Sequence, residues 1–151
     1  MLDDISLKIL KILQEKARIP NVEVARQVEM APSAVLERIR KLERQGFIDG
    51  YEVRLNPEQF DYRQIAFIKV QTSTVGDSPE VGQRLAEIAE VQEVHYIAGE
   101  DGYLVKLRVA DTRELATIIR EKIAVIQEVS ATQTSTVLQT YKETARIPIR
   151  G

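Results

Sequence analysis

Apolar residues recur at helical spacing in the first part of this chain and at strand spacing through most of the remainder. Leu2, Ile5, Ile9, Ile12 and Leu13 predict an amphipathic helix running to about Ala17. Asp3 or Asp4 supplies its cap, and a carboxylate there also suits the positive end of the helix dipole. Pro20-Asn21 restarts the chain, and Val22, Val24, Ala25 and Val28 form the apolar side of a short second helix. Glu29-Met30-Ala31 is the turn that follows. Pro32 fits the first position of a third helix, because its ring fixes a helical φ and its missing N–H has no partner to lose there. Ala31, placed before a proline, is pushed out of the helical region and marks a boundary. Val35, Ile39 and Leu42 make one buried stripe on the third helix, and Gly46 ends it.

The Asp49-Gly50 pair then predicts a turn and a short alternating strand ending at Asn56-Pro57. Residues 1–56 are expected to form one domain with that strand trailing it, 57–62 a linker, 63–142 a second domain and 143–151 a tail. In the second domain the period changes. A strand over Gln64 to Ser73 precedes the breaker Val75 to Pro79, and Ser78-Pro79 opens a helix carrying Val81, Leu85, Ile88 and Ala89. Val91 to Ala98 is a second strand, Gly99 to Gly102 a hairpin loop, and Tyr103, Val105, Leu107 and Val109 alternate in a third. Asp111 or Thr112 caps a helix bearing Leu115, Ile118, Ile119, Ile123 and Ile126, and the Thr-rich run Val129 to Tyr141 favours a last strand. A βαββαβ order is the ferredoxin-like arrangement, so the chain is α+β: a helix-turn-helix head followed by a ferredoxin-like body. Ile65, Phe67, Ile97 and Leu104 lie opposite Ala66, Ile68, Tyr96 and Val105, so both sheet faces carry apolar residues. One face takes the helices; the other is expected to pack on a second copy.

Composition narrows the class. With 44% hydrophobic and 29% charged residues the chain reads as a globular protein and not a disordered one. It has no cysteine, which removes disulfides, thiol catalysis and thiolate metal sites. The acidic start MLDDISLKIL lacks the basic opening of a signal peptide, so a cytoplasmic protein is expected. Net charge is −2, and residues 1–60 hold ten basic against ten acidic side chains, which argues against a general polyanion binder. The positive charge is local to the third helix.

That helix is the chain's main candidate for chemistry. A short helix, a tight turn and a longer basic helix is how proteins present one helix to the major groove of double-stranded DNA. Ser33, Ala34 and Glu37 sit at the N-terminal side, nearest base edges; Arg38, Arg40, Lys41 and Arg44 are placed as phosphate clamps. The plainer alternative is a solvated charged face. No catalytic group is expected: His95 is the lone histidine and falls inside a strand, no nucleophile has a partner base, and no ligand spacing suggests a metal. The loop Gly99-Glu100-Asp101-Gly102 could be a plain turn. It also offers what an amino acid requires, with Glu100 and Asp101 for an ammonium and glycine-flexed N–H groups for a carboxylate.

The segments LDDISLKILKILQEKARIP, VARQVEMAPSAVLERIRKLERQGFIDGYEVRLNP, AGEDGYLVKLRV and SATQTSTVLQTYK together resemble the Lrp/AsnC family of leucine-responsive or feast/famine regulators, over nearly the whole chain. The resemblance implies a DNA-binding transcription regulator that dimerises, often assembles into octamers, and is retuned by an amino-acid effector; no cofactor is expected. It implies an effector site at Gly99 to Tyr103 and at Thr134 and Ser135 of the last strand, with Thr132 nearby. The family often has glycine where this chain has Glu29, serine where it has Ala31, and a second loop acid where it has Gly102. A positive φ at Glu29 would then be strained. Two other readings remain open: an amino-acid-sensing regulatory subunit that acts through protein contacts, and an architectural DNA-compacting protein.

Overall fold

The computed structural model describes residues 1–99 and 102–151, and they divide into two compact units. The first comprises Met1–Arg54 together with Lys142–Gly151; the second is Leu55–Tyr141.

In the first unit α1 (Asp4–Glu15), α2 (Asn21–Val28) and α3 (Pro32–Arg44) surround a core of Ile9, Leu13, Val24, Ala25, Val28, Val35, Ile39 and Leu42. Asp3 is the α1 cap, its carboxylate accepting from Ser6 N at 2.8 Å. Gly46, at φ +77°, turns the chain out of α3, and Phe47 N closes on Leu42 O at 3.0 Å. Val22, expected on the apolar side of α2, is exposed instead, because the buried stripe of that helix runs through Val24, Ala25 and Val28. Residues 48–56 form no strand: they leave Tyr51, Val53 and Leu55 exposed, and no described strand of this chain pairs with them. Alternation supplied the pattern of a strand, but a ladder also needs a partner. Residues 143–151, expected as a tail, group with the head, together with Lys142.

The second unit is a four-stranded antiparallel sheet in the order β2-β3-β1-β4, formed by β1 (Gln64–Thr72), β2 (Val91–Ile97), β3 (Gly102–Val109) and β4 (Val129–Thr136). Two helices, α4 (Pro79–Ala86) and α5 (Thr112–Ile118), contribute Val81, Leu85, Leu115 and Ile118 to one core with Ala66, Ile68, Val70, Val105 and Leu107. This is the expected ferredoxin-like order, and the expected faces hold. Asp111 caps α5 by accepting from Glu114 N at 2.9 Å, while Glu114 Oε2 accepts from Ala110 N at 2.7 Å. A wider π-helical turn, Ile119–Ile123, follows α5 and lets Ile123 and Ile126 stay buried. The last strand ends at Thr136, well before Tyr141, because its partner β1 begins at Gln64 and offers only Ile65 O to Val137 N. The segment Pro57–Phe60, expected in a linker, is a short 3-10 turn of this unit.

Candidate nucleic-acid interface and ligand site

The turn before α3 has the geometry its sequence threatened. Glu29 adopts φ 57° and ψ 47°, the left-handed region, so that Met30 N can close on Ala25 O at 3.0 Å. Ala31 is extended and gives α3 no side-chain cap. Helix α3 therefore starts on Pro32 alone, held by its apolar stripe against α1 and α2.

That stripe turns Ser33, Glu37, Arg40, Lys41 and Arg44 to solvent, with Ala34 and Arg38 half-buried at its flanks. The cations then separate into three roles. Arg38 is engaged inside the head: its Nη1 donates to Asp3 Oδ2 at 2.7 Å and to Ser6 Oγ at 3.1 Å. The Arg38 guanidinium, with the Ser6 N–H, holds the Asp3 carboxyl well below the usual carboxylate range. Arg44 pairs with Glu37 at 3.2 Å, and both remain exposed. Arg40 and Lys41 are exposed and make no ion pair among the described residues, which leaves their charge for an external anion. Sequence reasoning missed the two contacts that brace this helix. Besides the Asp3–Arg38 pair, Tyr51 Oη donates to Glu43 Oε1 at 3.0 Å; burial and that carboxylate push the Tyr51 phenol up to about 12.

In the body, Glu100 and Asp101 lie outside the described residues, and only the flanks of the candidate ligand site are described. Cross-strand register brings those flanks together: Val70 of β1 pairs with Tyr103 on one side and with Thr132 on the other. Tyr103 and Thr132 thus lie in one row at one end of the sheet, on its helix-side face. Thr134 is in the next row with Ile68 and Val105. Ser135 pairs with Phe67 and points to the opposite face, so it does not join the two threonines. The alternation of a strand makes that separation legible in hindsight.

Tyr103 is 2% exposed and its hydroxyl is fully occupied. It donates to Asp77 Oδ1 at 2.7 Å and accepts from Ser78 N at 2.8 Å, tying the start of α4 to β3. Burial, then the Asp77 carboxylate, raises its pKa. Gly102 is a glycine for a steric reason: a Cβ there would be driven onto the Val70 carbonyl oxygen, with Gln71 Cα at 3.2 Å. Gly99, at φ +96°, makes the turn out of β2. On the open sheet face Lys106 is 9% exposed and reaches Glu93 Oε2 at 3.4 Å. His95 is exposed on that face with Nε2 at 3.0 Å from Glu93 Oε1, and that contact, followed by Lys106, lowers the Glu93 pKa. Among the described residues no group of three or more His, Asp and Glu side chains could hold a metal, and no helix is long and apolar enough to cross a membrane.

Two family patterns match the chain: the winged helix-turn-helix DNA-binding domain over residues 2–49 and the Lrp/AsnC ligand binding domain over residues 65–147. The leucine-responsive regulatory protein of Escherichia coli (strain K12) is 35% identical over 153 residues, covering 99% of this chain and 92% of that protein. A Neisseria meningitidis transcriptional regulator solved as its L-methionine complex superposes with a TM-score of 0.91 at 30% identity, covering 98% of this chain and 97% of the other. A feast or famine regulatory protein from M. tuberculosis, also complexed with L-methionine, gives a TM-score of 0.88 at 29% identity over 99% of this chain and 100% of the other.

Proposed function

The chain belongs to the Lrp/AsnC family of DNA-binding, amino-acid-responsive transcriptional regulators, and we propose that Arg40 and Lys41 are its principal phosphate contacts. The observation that carries this reading is their exposure, free of ion pairs, on a helix whose other side is the core of the head. Ser33, Ala34 and Glu37 sit nearest base edges, and Arg44 joins the phosphate set when Glu37 turns to a base. Arg38 contributes by holding α3 in place.

The effector is an apolar amino acid, with methionine the first candidate because two structural neighbours were solved with it. It is taken up at the sheet end that carries Tyr103 and Thr132, next to Gly99 and Gly102, with Thr134 in the next row. Ser135 belongs to the opposite face. There Ile65, Phe67 and Leu104 suit packing against a second copy, so that two heads read a two-fold operator; further dimers build an octamer. The protein works in the cytoplasm and has no catalytic role.

A mobility-shift titration on the promoter of its own gene tests the DNA part. Each phosphate contact adds about 0.9 to the slope of log affinity against log salt, so Arg40→Ala with Lys41→Ala is expected to flatten that slope by about 2. An unchanged slope removes both residues from the interface. Calorimetry against the twenty amino acids tests the effector part: heat is expected for methionine or a close apolar relative, and silence from all of them at millimolar concentration overturns it.

A further inference from the structure

The C-terminal segment is bound to α1 by contacts too specific for a dangling end. The Gln14 carboxamide hydrogen-bonds Ile147 in both directions: its Nε2 donates to Ile147 O at 2.7 Å and its Oε1 accepts from Ile147 N at 2.9 Å. One residue earlier, Arg146 Nη1 reaches Glu15 Oε2 at 3.3 Å and its Nη2 reaches Glu15 O at 3.4 Å. Helix α1 has no basic residue in its last turn. Arg146 therefore adds a cation beside the capping residue Lys16 at the negative end of the helix, from 131 positions away. The other end of α1 is where Arg38 of α3 is tied, through Asp3 and Ser6.

From this placement we infer that residues 145–150 form a strap that carries a change in β4 to the DNA-contacting helix, by way of α1 and Arg38. Three features support it. The strap follows β4, the strand of Thr132 and Thr134, after the eight residues 137–144. It groups with the head, so the head is joined to the body by chain at both Arg54–Leu55 and Tyr141–Lys142. One rigid helix, α1, then has the strap at its C-terminal end and the recognition helix at its N-terminal end. Gln14 and Arg146 are accordingly positioning residues that touch neither DNA nor effector.

The inference rests on the ligand-responsive DNA binding proposed above, and the test separates the two. Gln14→Leu removes both carboxamide bonds while keeping a helix-favouring side chain, and Arg146→Ala removes both contacts to Glu15. Hydrogen exchange on the full-length protein, without DNA or effector, is expected to accelerate several-fold at the amides of Ile12 to Glu15 in either variant. Promoter affinity is then measured with and without saturating methionine. Both variants are expected to bind DNA without effector within about twofold of the parent, and to lose most of the effector-dependent change in affinity. Unchanged exchange at α1 overturns the strap, and so does a full effector response in both variants. If the parent itself shows no effector response, the earlier reading fails, while the exchange measurement still decides whether the strap is docked.

Discussion

The two units keep their shape by different means. Among the described residues the body buries fourteen core residues in one cluster and the head eight. A unit of about sixty residues buries only about 60% of the surface its unfolded chain would expose, less than a larger domain does, and is marginal on that basis. The head supplements its core with polar ties that run between elements: Asp3 to Arg38, Tyr51 to Glu43, and the Gln14 and Arg146 contacts. The body has such ties as well, Tyr103 to Asp77 and Lys122 to Glu90 among them, but they add to a larger core fixed by sheet register and a helix layer. A DNA-reading module held by exposed polar contacts can be adjusted by whatever alters those contacts; a body held by its core transmits and does not yield.

The sharpest way to break this contrast is to delete the same group in each unit. Ile68 and Ile9 are both 0% exposed, and truncation of a buried isoleucine to alanine costs about 2–5 kcal/mol. Chemical denaturation of Ile68→Ala is expected to show a body that is weakened and still folded, whereas Ile9→Ala is expected to unfold the head at room temperature. Equal tolerance in both units would erase the distinction. Next in size is Gly102→Ala, which forces β1 and β3 apart and should cost about 1–3 kcal/mol by overpacking; melting followed in the body checks it, and a neutral result would mean that the strands yield freely. Glu29→Gly relieves a left-handed residue and should raise the melting temperature of the head, a gain of about 1 kcal/mol, with Ala31→Ser adding a similar amount through the vacant cap.

The smallest effect is a pH dependence. Asp3 and Glu23 titrate below their ordinary 3.8 and 4.5 in the folded head, Asp3 through Arg38 and Glu23 through Arg26, which holds Glu23 at about 2. A carboxyl lowered on folding stabilises above its unfolded value and loses that contribution as pH falls towards its folded one. The head should therefore melt progressively earlier as pH drops below 4.5, and Asp3→Asn should blunt that dependence. A melting temperature flat from pH 6 to pH 3 would show these pairs to be ornamental.

Much of the fold was readable before any coordinates. The stripe of Val35, Ile39 and Leu42, Pro32 at a helix start, Asp111 as a cap and the βαββαβ order are local signals, and local physics honours them. What could not be read depends on pairing at a distance. Arg38 has the spacing of a groove-facing cation, and only the packing of α3 against α1 brings Asp3 to it. The 145–150 segment reads as tail because its partner lies at the far end of the sequence. Residues 48–56 alternate like a strand and find no ladder. The placement of Ser135 across the sheet from Thr132 and Thr134 was available from period two alone, and the family pattern of adjacent residues obscured it.

The contact between Gly102 and the Val70 carbonyl constrains how this protein's ligand preference can change. No carboxylate can be installed at position 102 by a single substitution, since any side chain would first have to prise two neighbouring strands apart. At the effector site proposed above, variation in the charge that greets an ammonium would thereby be channelled to the remaining positions of the hairpin, and a shift in diet for this sensor would have to begin there.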